Sequence, residues 1–303
     1  MIMKKNDMVR NLPGLVLVLL LCALPSLTIA AENRHLDTIS RVLEASTLQK
    51  AEQAGVSAKA AVAMNAGVPG EDIEIIVSRS VKRGADAGTI NRFLDTSVSA
   101  KKEGLPVGPV LDRIEQGLAK GVPVERIAAA SERLREKLAV ARPVVEALIR
   151  DNVKHGTSGE REKAIEATAR ALEKSISPEE LAGIGAAVKS KQGSLSLFTS
   201  AANAATYFAG SGISGKTATR LVHNAVEKGY SGRDLDGMIR RVDEEMRRGA
   251  KAEDVATRME GERMNAEGNN RERQDMHEGM RSGPGGAGGM GGIGGGMGGG
   301  RRR

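Results

Sequence analysis

The chain has 303 residues and a formal net charge of +7, with one Cys, 38 Gly, three Phe, two Tyr and no Trp. A single cysteine excludes a disulfide-stapled or Cys-ligated metal protein, and the composition excludes a multi-span membrane protein. The scarcity of rings argues against an aromatic platform for single-stranded nucleic acid, and the mild charge gives no strong electrostatic reason to bind nucleic acid.

Residues 1–30 have the pattern of a secretory signal peptide. Three basic residues precede an apolar run at 15–24, and small residues follow up to Ala30. A basic end, a short apolar segment and a small-residue end are the three parts of a cleavable leader. The apolar segment is short for a spanning helix, and Leu21 before Cys22 is too large for a lipid-attachment pattern. We therefore predict cleavage near Ala30 and a bacterial periplasmic or secreted location, with no transmembrane span after cleavage and an uncleaved anchor as the alternative.

A recurring glycine organises most of the remaining chain. Each is followed by a short connector, often containing Pro or Ser, and a shorter step from one glycine to the next alternates with a longer one. Their positions are Gly67, Gly84, Gly104, Gly121, Gly212, Gly229 and Gly249. Glycine suits the left-handed position just past a helix end, and Pro or Ser suits the start of the next helix. We predict one short helix per step, so that two steps, as from 67 to 104, make one helical pair.

Apolar residues lie six and usually ten positions after each glycine. The pairs are Ile73/Val77, Ile90/Leu94, Val110/Ile114, Ala218/Val222, Leu235/Ile239 and Val255/Met259. This spacing places each pair on one face of a helix, and residues 67–114 align with 212–259 without a gap. The predicted fold is all-α, with short Gly-capped helices in helical-hairpin repeats. It resembles the α-solenoid architecture in general, and an irregular helical bundle is the alternative.

The pattern divides the chain into four segments. They are a signal peptide (1–30), an N-terminal helical repeat block (31–155), a C-terminal helical repeat block (156–264) and a Gly/Arg-rich tail (265–303). Between the regular parts, residues 124–154 predict a longer helix, broken or kinked at Pro143. The middle is either a hinge or more of the array. The tail has 13 Gly in residues 283–300, which predicts disorder.

One string resembles the phosphate-binding loop of P-loop nucleotidases. Residues Gly210–Thr217 read Gly-Ser-Gly-Ile-Ser-Gly-Lys-Thr, in which Lys216 would neutralise phosphates and Thr217 would hold Mg²⁺. Such a loop follows a buried strand, but residues 201–208 are Ala-rich and predict a helix. Gly212 already belongs to the repeated turns. We therefore predict a helix connection, and a P-loop-type nucleotide-binding protein stays as an alternative.

The sequence shows no constellation of catalytic or metal-binding residues. The four His are isolated. Arg240, Arg241, Arg247 and Arg248 form a basic stripe, and Glu244 and Glu245 lie four residues from Arg240, Arg241 and Arg248, so we predict that this helix face pairs internally. We nominate no catalytic residue, cofactor or metal ligand, and we predict that the protein is not an enzyme. The predicted function is an exported helical-repeat protein that binds or scaffolds an unknown protein partner in the envelope, without specific nucleic-acid binding. A tail that binds a membrane surface or a polyanion is a further alternative.

Overall fold

The structure is a computed structural model that describes residues 33–259. This part of the chain is all-α, as predicted: it contains twelve helices and no strand, and one isolated bridge joins Lys154 to Ser194. Helices α1 and α12 span residues 33–44 and 252–259. The ten between them are α2 (Lys50–Asn65), α3 (Gly70–Lys82), α4 (Ala87–Lys102), α5 (Gly108–Ala119), α6 (Val124–Arg150), α7 (Ser158–Glu173), α8 (Pro178–Ser190), α9 (Leu195–Gly210), α10 (Gly215–Glu227) and α11 (Gly232–Arg247).

Every connection from α2 to α12 contains a residue with positive φ. Seven of these residues are the repeated glycines, with φ between 64° and 97°, and the other three are Asn152, Ser175 and Gln192. The amide that follows each of the ten donates to the carbonyl five residues earlier, as Leu105 does to Ala100 at 2.9 Å. This bond closes the Schellman C-cap, which satisfies carbonyls that a helix end leaves without a partner. The predicted Gly-capped turns are confirmed.

The helical pair is visible in the element bounds. Helices α7, α9 and α11 begin at Ser158, Leu195 and Gly232, which are 37 positions apart, and each contains 16 residues. The same separation holds between the starts of α2 and α4 and between those of α8 and α10. Ser175 and Gln192 occupy turn positions that complete this spacing between α7 and α10. The middle of the chain therefore belongs to the array.

Helix α6 is the exception in this series. It begins where the spacing from α4 predicts, but it runs for 27 residues where α4 has 16. The spacing places the next turn near residue 141, and the sequence there is Ala141-Arg142-Pro143, without a glycine. The helix continues unbroken through Pro143 to Arg150, so the predicted break is absent. One turn of the array is therefore missing at this point.

Two layers of helices form the first of two compact units, which extends to Ala256. Helices α2, α4, α6, α8 and α10 pack on one another in order and form the even layer. In the odd layer α3 packs on α5, α7 packs on α9, and α9 packs on α11. Arg113 of α5 joins Glu173 of α7 at 3.1 Å and links the two parts of the odd layer. Packing of each helix on the second helix along the chain is typical of a stacked repeat array. Of the second unit, residues 257–259 are described, and they are helical.

Because this turn is missing, the longer helices change from one layer to the other at α6. Before α6 the longer helices of each pair lie in the even layer, and after α6 they lie in the odd layer. Helices α3 and α4 begin at 70 and 87, and α10 and α11 repeat this spacing at 215 and 232, as the gapless alignment of the sequence predicts. The matching helices nevertheless occupy opposite layers.

Aliphatic side chains and all three phenylalanines fill the space inside the array. The apolar pairs predicted from the sequence are buried, with one exception in α11. There Ile239 is half-buried, and Met238 and Val242 are buried with Leu235. The core face of α11 is thus rotated slightly from the predicted one, because residues at i+3 and i+7 share a helix face as well as those at i+4.

Polar contacts between neighbouring helices repeat at nearly the same spacing as the helices. Examples are Lys59–Asp95 at 2.8 Å, Arg92–Glu132 at 3.1 Å, Asp151–Lys189 at 3.0 Å and Tyr207–Asp243 at 3.1 Å. Each joins residues 36 to 40 positions apart, on helices that are adjacent within one layer. The three exposed ion pairs stabilise little individually, so they serve mainly to fix how neighbouring helices are aligned.

No helix within residues 33–259 has both the length and the apolar character needed to cross a membrane. The predicted signal peptide (1–30) and the predicted tail (265–303) lie outside the described residues.

Candidate functional site: a groove between α6 and α8

An open groove of about 520 Å³ runs along the even layer between the second half of α6 and α8. Its floor and walls are mostly small or apolar, and a charged pair lies at one end. The lining residues are Val144, Ala147, Leu148, Asp151, Ala182, Gly185, Ala186, Lys189 and Ser190. Ala182 and Ala186 are exposed, so short side chains form the wall that α8 contributes.

Gly185 sets the distance between the two helices. A Cβ at this position would overlap the side chain of Leu148, so any larger residue would push α8 away from α6. Asp151 joins Lys189 at 3.0 Å, one helical turn further along. These two contacts show that α6 and α8 run in the same direction. Pro178, seven positions before Gly185, therefore lies level with Ala141, and α8 does not extend beside the first half of α6.

The apolar wall of α6 extends beyond the groove. Val140 lies one turn before Val144 and is 46% exposed. Among residues 33–259, Val140 and Val62 are the two exposed large hydrophobic residues. Exposed apolar side chains that continue an apolar groove indicate an interaction surface more strongly than isolated ones do.

Three basic residues continue this face of α6 toward its N-terminus. Arg126, Arg133 and Lys137 precede Val140 by 14, 7 and 3 positions, and these spacings keep all of them on one helix face. All three are exposed, and none forms an ion pair in the part of the chain that the structure describes. We call the row Arg126, Arg133, Lys137, Val140, Val144 and Ala147 the α6 strip.

The acidic residues on α6 and at the start of α8 do not pair with the cations of the strip. Glu136 is exposed on α6, and Glu179 is exposed in the first turn of α8. Glu132, on the edge of α6 that faces α4, is already paired with Arg92. The basic half of the strip therefore keeps unneutralised positive charge.

A separate acidic cluster lies on α3 and α5 of the odd layer. Burial, together with repulsion from Glu71 and Asp112, raises the pKa of Asp72. Burial and the nearby Asp72 also raise the pKa of Glu115, against the attraction of Arg79, whose guanidinium lies 3.7 Å away. No group of three or more His, Cys, Asp or Glu suited to a metal ion is found among residues 33–259. The carboxylates of this cluster therefore repel one another in the folded protein.

The string Gly210–Thr217 connects α9 to α10, as predicted. A helix precedes it, Gly212 has a φ of 97°, and Ser214 is the N-cap of α10. The Ser214 amide donates to Oε1 of Glu253 at 2.7 Å. A carboxylate of the chain itself therefore lies at the start of α10, where the phosphate of a nucleotide lies in a P-loop.

The basic stripe of α11 is paired within its own helix. Arg241 donates to Glu245 at 3.2 Å, and Arg247 lies 2.7 Å from Asp243. The predicted pairing with Glu245 is confirmed for Arg241. Arg247 also pairs within its own helix, with Asp243, which is not one of the predicted acidic partners.

The described histidines lie far apart in the array. His35 Nδ1 lies 2.7 Å from Glu74, and His155 Nδ1 lies 3.3 Å from the Val153 carbonyl. His223 is in α10, and His277 lies outside the described residues. The structure brings none of the described three together.

Comparison with protein-family models, with curated proteins and with solved structures finds no match to this chain. The groove was not predicted from the sequence, because it depends on where α8 begins relative to α6. Two signals in the sequence point toward it: the missing glycine near residue 141, and apolar residues at 140 and 144 in line with unpaired cations.

Proposed function

We propose that the chain is a non-enzymatic helical-repeat protein that binds a protein partner in the bacterial envelope. The observation that carries this proposal is the open apolar groove between α6 and α8, extended by the exposed Val140. Stacked helical arrays present extended surfaces, and an apolar surface of this kind is best used by binding another protein. No catalytic residue and no cofactor are assigned.

The proposed location rests on the leader pattern of residues 1–30, which supports export and cleavage near Ala30. We expect the protein recovered from the periplasm or the medium to begin at Ala31. N-terminal sequencing measures this directly. A chain that keeps residue 1 and fractionates with the membrane would contradict cleavage.

Co-purification from an envelope extract tests the binding function. Four tagged chains are compared: the unaltered protein, a deletion of residues 265–303, Val144→Glu in the groove, and Val62→Glu as a control at another exposed valine. We expect one partner to be retained by the unaltered, deleted and Val62→Glu chains and lost with Val144→Glu. Circular dichroism of each variant checks that the helices are kept.

Each other result assigns the function elsewhere. Loss of the partner only on deletion of residues 265–303 would place binding in the tail. Retention by all four chains would remove the groove from the function. The absence of any specific partner would contradict the binding function itself, and nucleotide binding with Lys216→Ala as the control is then the next measurement.

A further inference from the structure

We infer that the α6 strip and the groove bind an acidic amphipathic helix, with its apolar half in the groove and its carboxylates over the basic half of the strip. The inference rests on the proposed function and specifies the chemistry of the partner. It is carried by three features of the described residues: the shape of the groove, the side of α6 that α8 leaves open, and the unpaired cations.

The shape of the site suits a helix. The groove lies between two helices that run in the same direction, and its walls are short side chains that allow close approach. A helix in such a groove uses apolar anchors at i, i+4 and i+7. From Arg126 to Ala147 the strip is about 32 Å long, at a rise of about 1.5 Å per residue. A partner helix of about 20 residues covers it.

The open side of α6 is where a helix is absent from the even layer. Helix α8 has 13 residues and begins level with Ala141, whereas α6 has 27 and begins at Val124. The first half of α6 therefore lacks the even-layer neighbour that its second half has. A partner helix along the strip extends that layer beside α6.

The charges decide the sign of the partner. Elsewhere in the array, several cations meet a carboxylate of a neighbouring helix: Arg92 meets Glu132, Arg113 meets Glu173 and Arg135 meets Glu103. Arg126, Arg133 and Lys137 have no such carboxylate among the described residues. An acidic partner helix supplies carboxylates to these cations, as neighbouring helices do at the other contacts, and a basic partner is repelled.

A displayed library of helical peptides, each long enough to cover the strip, tests the inference on the full-length protein. The face positions of each peptide vary among Leu, Ala, Glu and Lys, and the other positions are held constant. We expect binders with Leu or Ala in one half and Glu in the other. Selection of Lys-rich peptides, of uncharged peptides or of no peptide would overturn the inference.

Matched variants show whether a selected peptide occupies the strip. Arg133→Glu with Lys137→Glu removes the basic half, and Lys102→Glu is the control at an exposed cation on α4. Val140→Ser with Val144→Ser removes the apolar half, and Val62→Ser is its control. We expect each double variant to weaken binding by at least about tenfold and the controls to leave it unchanged. Equal affinities for all variants would place the peptide elsewhere and contradict the inference.

Two further arms separate the inference from the proposed function. If the envelope partner is lost with Val144→Glu but no acidic peptide binds, the binding function stands and the acidic-helix inference is wrong. If vesicles containing phosphatidylglycerol bind in place of peptides and the same variants abolish that binding, the strip binds a lipid surface and the inference is wrong. If the unaltered chain binds neither an envelope partner nor an acidic peptide, both proposals are contradicted.

Discussion

The backbone of Ser175 has a φ of 61°, a conformation that glycine adopts at seven of the ten turns. A side chain in this region costs about 1–2 kcal/mol. We therefore expect Ser175→Gly to raise the free energy of unfolding by about 0.5–1 kcal/mol. Ser78→Gly, inside α3, is the matched control and is expected to lower it by a similar amount. Urea unfolding measures both, and a loss of stability at Ser175 would show that its side chain has another role.

Replacing a glycine by alanine measures the same backbone effect at positions where the added Cβ makes no packing contact. A Cβ added at Gly84 or at Gly55 meets no atom within 4 Å, but Gly84 has a φ of 69° and Gly55 lies inside α2. We expect Gly84→Ala to lower the free energy of unfolding by about 1 kcal/mol. Gly55→Ala is expected to raise it by about 0.5–1 kcal/mol. If thermal unfolding shifts in the same direction for both, the backbone explanation fails.

The acidic cluster on α3 and α5 predicts a pH dependence. The pKa values of Asp72 and Glu115 are raised in the folded protein, so the folded state binds protons more readily than the unfolded state. Stability is therefore gained as the pH falls from neutral through these pKa values, and is lost as the pH rises. We expect Asp112→Asn to raise the free energy of unfolding at pH 7 by up to about 0.5 kcal/mol, since solvent screens these groups.

The same substitution is expected to shrink the gain in stability between pH 7 and pH 5. Urea unfolding at the two pH values measures this. Asp236→Asn, at an exposed aspartate of α11, is the control and is expected to change neither quantity. A gain that is unchanged in Asp112→Asn would show that Asp112 does not repel Asp72 and Glu115 in solution.

At the scale of the element, α6 is a helix that contains a proline. Pro143 is exposed and inside the helix, where it cannot donate to the carbonyl of Ala139. We expect Pro143→Ala to raise the free energy of unfolding by about 1 kcal/mol or more. Pro178→Ala, at the first residue of α8, is the control, and it is expected to change stability by less than about 0.5 kcal/mol because that amide has no helical partner. Equal effects in thermal unfolding would mean that α6 is already adapted to its proline.

The elements also show how much the sequence can predict. The repeated glycines predict turns reliably, because an αL residue at a helix end has few alternatives. Asn152, Ser175 and Gln192 carry no comparable signal, so the regular spacing of the turns is hidden in the middle of the chain. The exposure of Val140 could not be predicted either. A valine at helical spacing is normally buried, and here it is exposed because α8 begins too late to cover it.

At the scale of the whole array, connectivity sets local stability. Helix α6 packs against α4, α5, α7 and α8, whereas helices near the ends of the described residues have fewer neighbours. In a stacked array each helix is stabilised by its neighbours, so opening is easiest at the ends. We expect hydrogen exchange to be slowest in α4, α6 and α9 and faster in α2 and α11. Mass spectrometry of exchanged peptides measures this, and uniform protection along the chain would indicate a single cooperative unit.

The layer exchange at α6 has a consequence for how the length of such a chain can vary. Removing or adding a whole helical pair takes out or inserts one helix from each layer, and every remaining helix keeps its layer. Removing a single helix with its turn moves every later helix to the opposite layer. Each surface formed by those later helices then lies on the other side of the array. Helix α6 has the effect of such a single step, because one helix of 27 residues runs through the position where the spacing predicts a turn. We therefore expect homologous chains to differ in length by even numbers of helices, unless one of them has a further long helix that replaces two helices and a turn.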